Sequence, residues 1–184
     1  MYDPRRSDNP RTMHNSSFRC SSCGQEHAGL PLSFAADYPD PYANLSAEAR
    51  ELRAIAGSDQ CIIDQQEFYI RGCLEIPVIG TGEVFMWGLW ARISEAAFEE
   101  ISDHWESQGR EAMIGPYKGR LANSLSIYPD TLNQRLEVRI SPVGSRPLFI
   151  LEEAGNALCI EQRAGLNPQR AAEYACLLLR MANG

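Results

Sequence analysis

The segment Glu67-Phe-Tyr-Ile-Arg-Gly-Cys-Leu-Glu-Ile76 sets the pattern for the fold, because apolar side chains recur at every second position along most of it. These apolar positions are Phe68, Ile70, Leu74 and Ile76. A period of two predicts a β-strand with one buried face. Gly72 falls on the same face, and a glycine inside a strand is typical of a bulge or of a close approach by another backbone.

Further strands are predicted on both sides of this segment. Residues 83–93 are apolar on both faces, which predicts a strand in the centre of the sheet. The turn at residues 77–82 joins the two strands as in an antiparallel meander. The remaining strand candidates are residues 60–64, 121–128, 134–141 and 148–152.

Three helices are predicted from capping residues and helical spacing. Ser46 caps a helix to about residue 56, and Ser94 caps another to about residue 107. Asn167 followed by Pro168 predicts the start of a C-terminal helix. The expected buried stripes are Phe98, Ile101 and Trp105 in the second helix and Ala171, Tyr174, Leu177, Leu178 and Met181 in the third. Along the chain the predicted elements follow the order helix, strands, helix, strands, helix. This order predicts an α+β fold with a largely antiparallel sheet and three flanking helices, and an N-terminal zinc-binding turn is expected beside it.

Length and charge limit the domain count and the class of partner. The 184 residues predict a flexible extension over residues 1–17 and a single α+β domain over 18–184, which includes a Cys/His turn at 18–45. The net charge of −7 argues against nucleic acid as the main partner, and no apolar run is long enough for a membrane span. Six cysteines without a signal peptide indicate a reducing, cytoplasmic location.

A zinc site is the clearest chemical signal in the sequence. Cys20 and Cys23 are two residues apart, and His27 follows the glycine after them, so a tight turn brings two thiolates and an imidazole together. Cys61 is the expected fourth ligand, although a small core residue is the alternative interpretation, and Cys73 is the reserve candidate. Four protein ligands close the tetrahedron and leave no position for an activated water, so a structural Zn²⁺ is favoured over a catalytic one.

A second candidate site combines arginines with a tryptophan. Arg71 lies on the polar face of its strand, and Arg92 shares a strand face with Trp90. If these faces adjoin and Arg146 joins them, they form a basic and aromatic concavity that suits an anionic ligand or an acidic peptide. The alternative is that the arginines make ordinary cross-strand pairs and that the tryptophan belongs to the core.

Several motifs along the chain resemble those of one bacterial family. They are Cys20-Ser-Ser-Cys23-Gly24 with His27, Asp59-Gln-Cys61-Ile-Ile-Asp64, Phe68-Tyr-Ile-Arg71-Gly72, Leu74-Glu-Ile-Pro77, Phe85-Met-Trp87-Gly88-Leu-Trp90, Tyr128-Pro129-Asp130-Thr131 and Arg146-Pro147. With them, the chain from about Phe18 to Met181 resembles the family catalogued as domain of unknown function 2199. The resemblance implies no activity, because none is assigned to that family.

The sequence favours a binding role over catalysis. Neither a Gly-x-Ser-x-Gly nucleophile motif nor a glycine-rich phosphate loop is present. The expected function is that of a zinc-stabilised, cytoplasmic binding or regulatory protein that acts through contact with another protein. The alternative is a small hydrolase or transferase that depends on a metal or on a carboxylate.

Overall fold

The computed structural model describes residues 18–19, 26–27, 31–152 and 154–183. The strands are β1 (Phe18–Arg19), β2 (Glu26–His27), β3 (Ser33–Ala35), β4 (Ala54–Ala56), β5 (Gln60–Ile63), β6 (Glu67–Pro77), β7 (Val84–Ile93), β8 (Tyr117–Leu121), β9 (Arg135–Arg139) and β10 (Leu148–Leu151). The helices are α1 (Asp40–Ala43), α2 (Ala47–Arg53), α3 (Glu95–Asp103), α4 (Arg110–Met113), α5 (Ala157–Ala164) and α6 (Pro168–Asn183). The predicted extension over residues 1–17 lies outside the described residues.

Strands β6 to β10 close on themselves. Each pairs antiparallel with the next along the chain, and β10 then pairs with β6 in the parallel sense, with Leu148 opposite Cys73. An odd number of consecutive up-and-down strands leaves the first and the last pointing the same way, so the closing pair has to be parallel. The result is a five-stranded barrel, to which β3 adds beside β7 while β5 and β4 add beside β6.

The predicted open sheet with three flanking helices is therefore wrong. The period of two in β6 identifies its buried face correctly, but it carries no information on which strand lies at each edge. The described residues form six helices, of which the short α1, α4 and α5 were not predicted. The described part of the chain also shows no zinc-binding turn, although β1 and β2 pair with Phe18 opposite His27.

Gly72 lies where the barrel closes. A Cβ at this position would stand 2.4 Å from the Phe149 ring and 2.8 Å from the carbonyl oxygen of Pro147. Beside it, the amide of Cys73 donates to Pro147 O at 2.8 Å. The predicted close backbone approach at Gly72 is thereby confirmed, and only glycine leaves room for β10 against β6.

The edge of β6 that faces away from β7 changes its partner at the same point. Along this edge, the first half of β6 pairs with β5 and the second half meets β10. The amide of Arg71 donates to the carbonyl oxygen of Asp59, the residue just before β5, at 2.8 Å. Arg146, two residues before β10, donates from Nε to Asp59 Oδ1 at 2.6 Å. This ion pair therefore joins the beginnings of the two strands that share the edge of β6.

Two apolar cores lie on opposite faces of the β6–β7 hairpin. The main core fills the barrel and extends beneath α3, α5 and α6, and it includes Leu74, Ile76, Phe85, Trp87, Leu89, Phe98, Ile101, Phe149, Leu158 and Ala175. The second core lies on the outer face and consists of Cys61, Ile63, Tyr69, Trp90 and Ala122. Both faces of the hairpin are thus buried near β5, as the apolar character of residues 83–93 predicts for β7.

The three predicted helix caps are present. Ser46 and Ser94 accept hydrogen bonds at Oγ from Ala49 N and Ala97 N, and Asn167 Oδ1 accepts one from Arg170 N. The predicted stripe of the last helix is wrong in part. Its buried residues are Ala171, Ala172, Ala175 and Cys176, whereas Leu177 and Met181 are 45% and 54% exposed. The predicted strand at 121–128 is also displaced, because β8 ends at Leu121.

Candidate functional site

Arg71 and Trp90 meet across the strands, as the predicted basic and aromatic cluster requires, but the tryptophan is not open to a ligand. They occupy opposing positions of β6 and β7, and the Arg71 guanidinium lies 6.0 Å from the centre of the Trp90 ring. Trp90 has no exposed surface, and its Nε1 donates to Ala36 O at 3.3 Å. The tryptophan is therefore a core residue, as the alternative interpretation has it.

Arg146 lies near this pair, and its contacts serve the barrel closure. Its side chain and that of Asp59 are only 21% and 18% exposed, and the two form the ion pair described above. Arg71 adds a 3.4 Å contact from Nη1 to Ser58 O, next to Asp59 in the chain. The three predicted residues Arg71, Trp90 and Arg146 thus surround the point at which β6 changes partner.

Arg92 belongs to a different and open surface. The registers of β7, β8 and β9 place Arg92 opposite Arg120, and Arg120 opposite Arg135. Neighbouring strands are about 4.8 Å apart, so three arginines stand side by side over about 10 Å. We call this set the arginine row. It lines a groove with a volume of about 510 Å³, whose other lining residues are Ile93, Ser94, Lys118, Gly119 and Glu152.

The two flanks of the groove are partly neutralised by carboxylates of the chain. Arg92 lies 3.2 Å from Glu67, which also accepts a hydrogen bond from the Tyr69 hydroxyl at 2.9 Å. Lys118 lies 2.5 Å from Glu152 and 3.6 Å from Glu137. The hydrogen bond with Glu152 raises the pKa of Lys118, so this ammonium group stays charged over the whole physiological range.

Arg120, in the middle of the row, has no such carboxylate. Its Nη1 donates to the carbonyl oxygen of Asn133 at 3.0 Å, and within the described ranges no acidic side chain lies within 4 Å of its charged nitrogens. Like charges at directly opposing strand positions are unfavourable by a few tenths of a kcal/mol or more. An oxyanion placed over Arg120 would remove this repulsion and supply the missing counter-charge.

The predicted metal ligands are not assembled by the residues that the structure describes. Cys20 and Cys23 lie outside the described residues, and of His27 only the backbone is described. Cys61 is fully buried in the second core, where burial raises its pKa to about 11. A thiol in this state is protonated at neutral pH and has to lose its proton to bind Zn²⁺.

Among the described residues, no group of three or more histidine, cysteine or acidic side chains is placed to hold a metal ion. The zinc site and the alternative function as a small hydrolase or transferase both stay predictions.

Arg120 and Arg135 are the residues that the sequence analysis missed. The segments Tyr-Lys-Gly-Arg-Leu and Arg-Leu-Glu-Val-Arg of β8 and β9 carry charges at alternate positions, which is the available signal for an outward face. The displaced strand prediction hid this signal in β8. Alternation also leaves open which outward residues become neighbours, since this depends on the register between strands.

No helix within the described part of the chain is both long and apolar enough to cross a lipid bilayer. A search of curated proteins found no match, and a search of solved structures found none either. One family model matches residues 19–166, which include the whole barrel and the arginine row, and its description is "uncharacterized protein conserved in bacteria (DUF2199)". The chain is therefore a member of the DUF2199 family of bacterial proteins.

Proposed function

We propose that this protein is a binding protein with a regulatory role, which recognises a short acidic segment of a partner protein on the arginine row. The observation that carries the proposal is the register of Arg92, Arg120 and Arg135 on three adjacent strands, with Arg120 lacking a carboxylate among the described residues. A row of guanidinium groups offers paired N–H donors in the geometry that oxyanions accept.

The charge of the remaining protein favours a short anionic segment over a long polyanion. The chain carries a net charge of −7, so its surface outside the groove is acidic on average. At physiological ionic strength, charges act over about 8 Å, which is close to the length of the row. A nucleic acid would extend beyond the groove and meet repulsion, whereas a few acidic residues of a protein would remain within it.

A cytoplasmic location forms part of this proposal. The support is that Cys61 and Cys159 are buried free thiols, as proteins in a reducing compartment keep them.

Fluorescence anisotropy with a labelled octapeptide of alternating Asp and Glu tests the proposal. We expect saturable binding that weakens as salt is raised, and no binding of the matched Asn/Gln peptide. Arg120→Gln should weaken binding about tenfold. Arg139→Gln is the matched control, because Arg139 lies on the same outer face of β9 but outside the groove and pairs with Glu137 at 2.7 Å. Binding that is absent, or that both variants weaken equally, contradicts the proposal.

We further propose that residues 18–27 carry a structural Zn²⁺ bound by Cys20, Cys23 and His27. The support comes from the ligand spacing and from the antiparallel pairing of β1 with β2, since the sequence between these two strands contains both cysteines. Elemental analysis should find about one zinc per chain in protein purified without chelator. Cys23→Ser should lose the metal and Cys73→Ser should keep it. Wild-type protein without zinc contradicts the proposal.

A further inference from the structure

We infer that the protein has a second binding groove, which takes a basic side chain of a partner protein. This groove lies between the later half of β6 and β10, and it shares no described lining residue with the groove of the arginine row. The inference is therefore independent of the acidic segment proposed for the arginine row. It follows from the way in which β10 leaves β6 and from the surroundings of Glu75.

The groove exists because β10 diverges from β6 directly after the closure. The two strands are paired at Leu148 and Cys73, and their register contains no later pair. The side chain of Gln162, from α5, occupies the edge of β10 instead. Its Nε2 donates to Phe149 O at 2.6 Å, and its Oε1 accepts from Leu151 N at 2.8 Å. These bonds replace those that a neighbouring strand would make, so the divergent part of the edge is fixed without a strand.

The cavity left between the two strands is small and mostly apolar, and we call it the Glu75 groove. Its volume of about 230 Å³ is below the ~300–1,000 Å³ of pockets for drug-sized ligands, so it suits a single side chain. Its described lining consists of Glu75 and Gln162 together with the apolar residues Pro77, Val84, Leu148, Phe149 and Ile150. Because Oε1 and Nε2 of Gln162 already bond to β10, Glu75 is the residue that sets the charge of the ligand.

The carboxylate of Glu75 lacks a counter-charge. Among the residues that the structure describes, it takes part in no hydrogen bond or ion pair. Its partner across β7 is Met86, and Val84 lies opposite the next outward position of β6. The nearest arginine on its own strand is Arg71, four residues away or about 13 Å along the strand. Since Glu75 is partly buried, water compensates its charge incompletely, and a cation in the groove would supply the missing partner.

An aliphatic chain that ends in a cation matches both features of the groove. Lysine and arginine side chains lay their methylene groups along apolar surface and keep the charged end at a polar partner. In the Glu75 groove the methylene groups would contact Val84, Leu148 and Ile150, while the ammonium or guanidinium group meets the carboxylate. The net charge of −7 attracts a basic partner in addition.

The basic group belongs to a protein and is not a free amine. One ion pair at a protein surface contributes little by itself, so binding needs further contacts outside the groove. Pro77 at its border is exposed, and Ile79, two residues further along, is 56% exposed. These apolar side chains offer contacts to the residues that flank the basic side chain in a partner.

Three heptapeptides that differ at their central position test the inference. The peptide Ser-Val-Ala-X-Ala-Val-Ser carries lysine, arginine or norleucine at X, and n-butylammonium is the free amine for comparison. The measurement is an NMR titration that follows the methyl groups of Val84, Leu148 and Ile150. We expect saturable shifts of these methyl groups with the lysine and arginine peptides, and binding about tenfold weaker with the norleucine peptide, which has no charge to place at Glu75.

Glu75→Gln removes the charge and keeps the shape of the side chain. It should weaken binding of the lysine peptide about fivefold, and it should not lower the melting temperature because no ion pair is lost. Glu106→Gln is the matched control, since Glu106 is exposed, lies outside the groove and gives the same change in net charge. This variant and Arg120→Gln should each change binding of the lysine peptide by less than about twofold.

The outcomes separate the parts of the inference. Absence of binding by both basic peptides, or equal binding of the lysine and norleucine peptides, overturns it. An equal effect of Glu75→Gln and Glu106→Gln also overturns it, because the attraction would then come from the net charge. A lower melting temperature of Glu75→Gln would show that the carboxylate is paired within the protein. n-Butylammonium that binds as tightly as the lysine peptide overturns the assignment to a partner protein.

Discussion

The outer face of β6 and β7 has a covered part and an open part. Arg71 and Arg92 lie on this same face, since their strand partners are Trp90 and Tyr69. Beside Arg71 the face is covered by the second core, and beside Arg92 it opens into the groove of the arginine row. The same residue type on the same face is therefore structural in one place and available to a ligand in the other, depending on what lies above it.

The residues that cover this part of the face belong mainly to the segment between residues 31 and 66. Asn123 holds this segment in place. Asn123 is 2% exposed, accepts from Trp90 N at Oδ1, and donates from Nδ2 to Tyr38 O and Asp40 Oδ1. Asp40 also accepts at Oδ2 from Ser124 N at 2.8 Å. A buried amide with all these partners is costly to disrupt, so the covered part of the face is held by polar contacts as well as by apolar packing.

The largest contrast should come from two neighbouring positions of β7. Trp90→Ala removes a fully buried aromatic ring from the second core and should lower the free energy of unfolding by about 3–5 kcal/mol. Arg92→Ala, two residues along the same face, should change it by less than about 0.5 kcal/mol because its side chain is half exposed. Urea denaturation measures both. Similar losses for the two variants would remove the distinction between the covered and the open part.

The next effect concerns the barrel closure. Gly72→Ala should cost about 3 kcal/mol, since the added methyl group meets the Phe149 ring and the Pro147 carbonyl and the backbone oxygen cannot move freely. Gly57→Ala is the matched control, because its nearest neighbour would be 3.8 Å away. Thermal unfolding followed by circular dichroism compares them. A Gly72 variant as stable as the Gly57 variant would show that the closure is looser than described.

The stability that Cys61 contributes to the covered part should depend on pH. The thiol of Cys61 has its pKa raised to about 11 by burial, whereas the unfolded chain titrates near 9. The folded state therefore keeps a proton that the unfolded state releases, so this stability is complete below pH 9 and is lost as the pH rises towards 11.

Between pH 9 and 10.5 the loss from Cys61 should amount to about 1–2 kcal/mol. Cys61→Ala should lower stability at all pH values but remove this part of the slope. Urea denaturation at each pH gives the difference between the two proteins, in which the titration of other groups cancels. Identical slopes would place the Cys61 thiol in contact with water.

The smallest expected change in stability concerns Arg120, in the open part. Arg120→Gln removes a like charge between two arginines and should raise the free energy of unfolding by about 0.5 kcal/mol in low salt. The gain should disappear in 0.5 M salt, where the repulsion is screened. Arg139→Gln, which breaks the pair with Glu137, should give no gain. Destabilisation by Arg120→Gln in low salt would mean that the arginine row is a structural element.

Local features of this protein could be read from its sequence, whereas those that depend on long-range pairing could not. The alternation of Phe68, Ile70, Leu74 and Ile76 and the caps at Ser46 and Ser94 each depend on residues close in the sequence, and all were predicted correctly. Gly72 indicated a close backbone approach, but not that β10 makes it. Barrel closure depends on which strand reaches Cys73, and no local pattern specifies this. The same limit applied to the candidate site. Arg92 was identified from its own strand, but its neighbours Arg120 and Arg135 were not, because the pairing of strands brings them together.

The Asp59–Arg146 pair at the closure has a consequence for how the chain folds. The two residues are 87 positions apart, so their contact forms only after most of the domain has been synthesised. Contacts of such high sequence separation are slow to form, since a long loop has to be closed before any stabilisation is gained. On the ribosome, we expect β6 to β9 to emerge as an unclosed sheet, in which the later half of β6 is paired with β7 on one edge only. Chaperones that shield exposed strand edges would act in this interval, which ends when β10 emerges and docks.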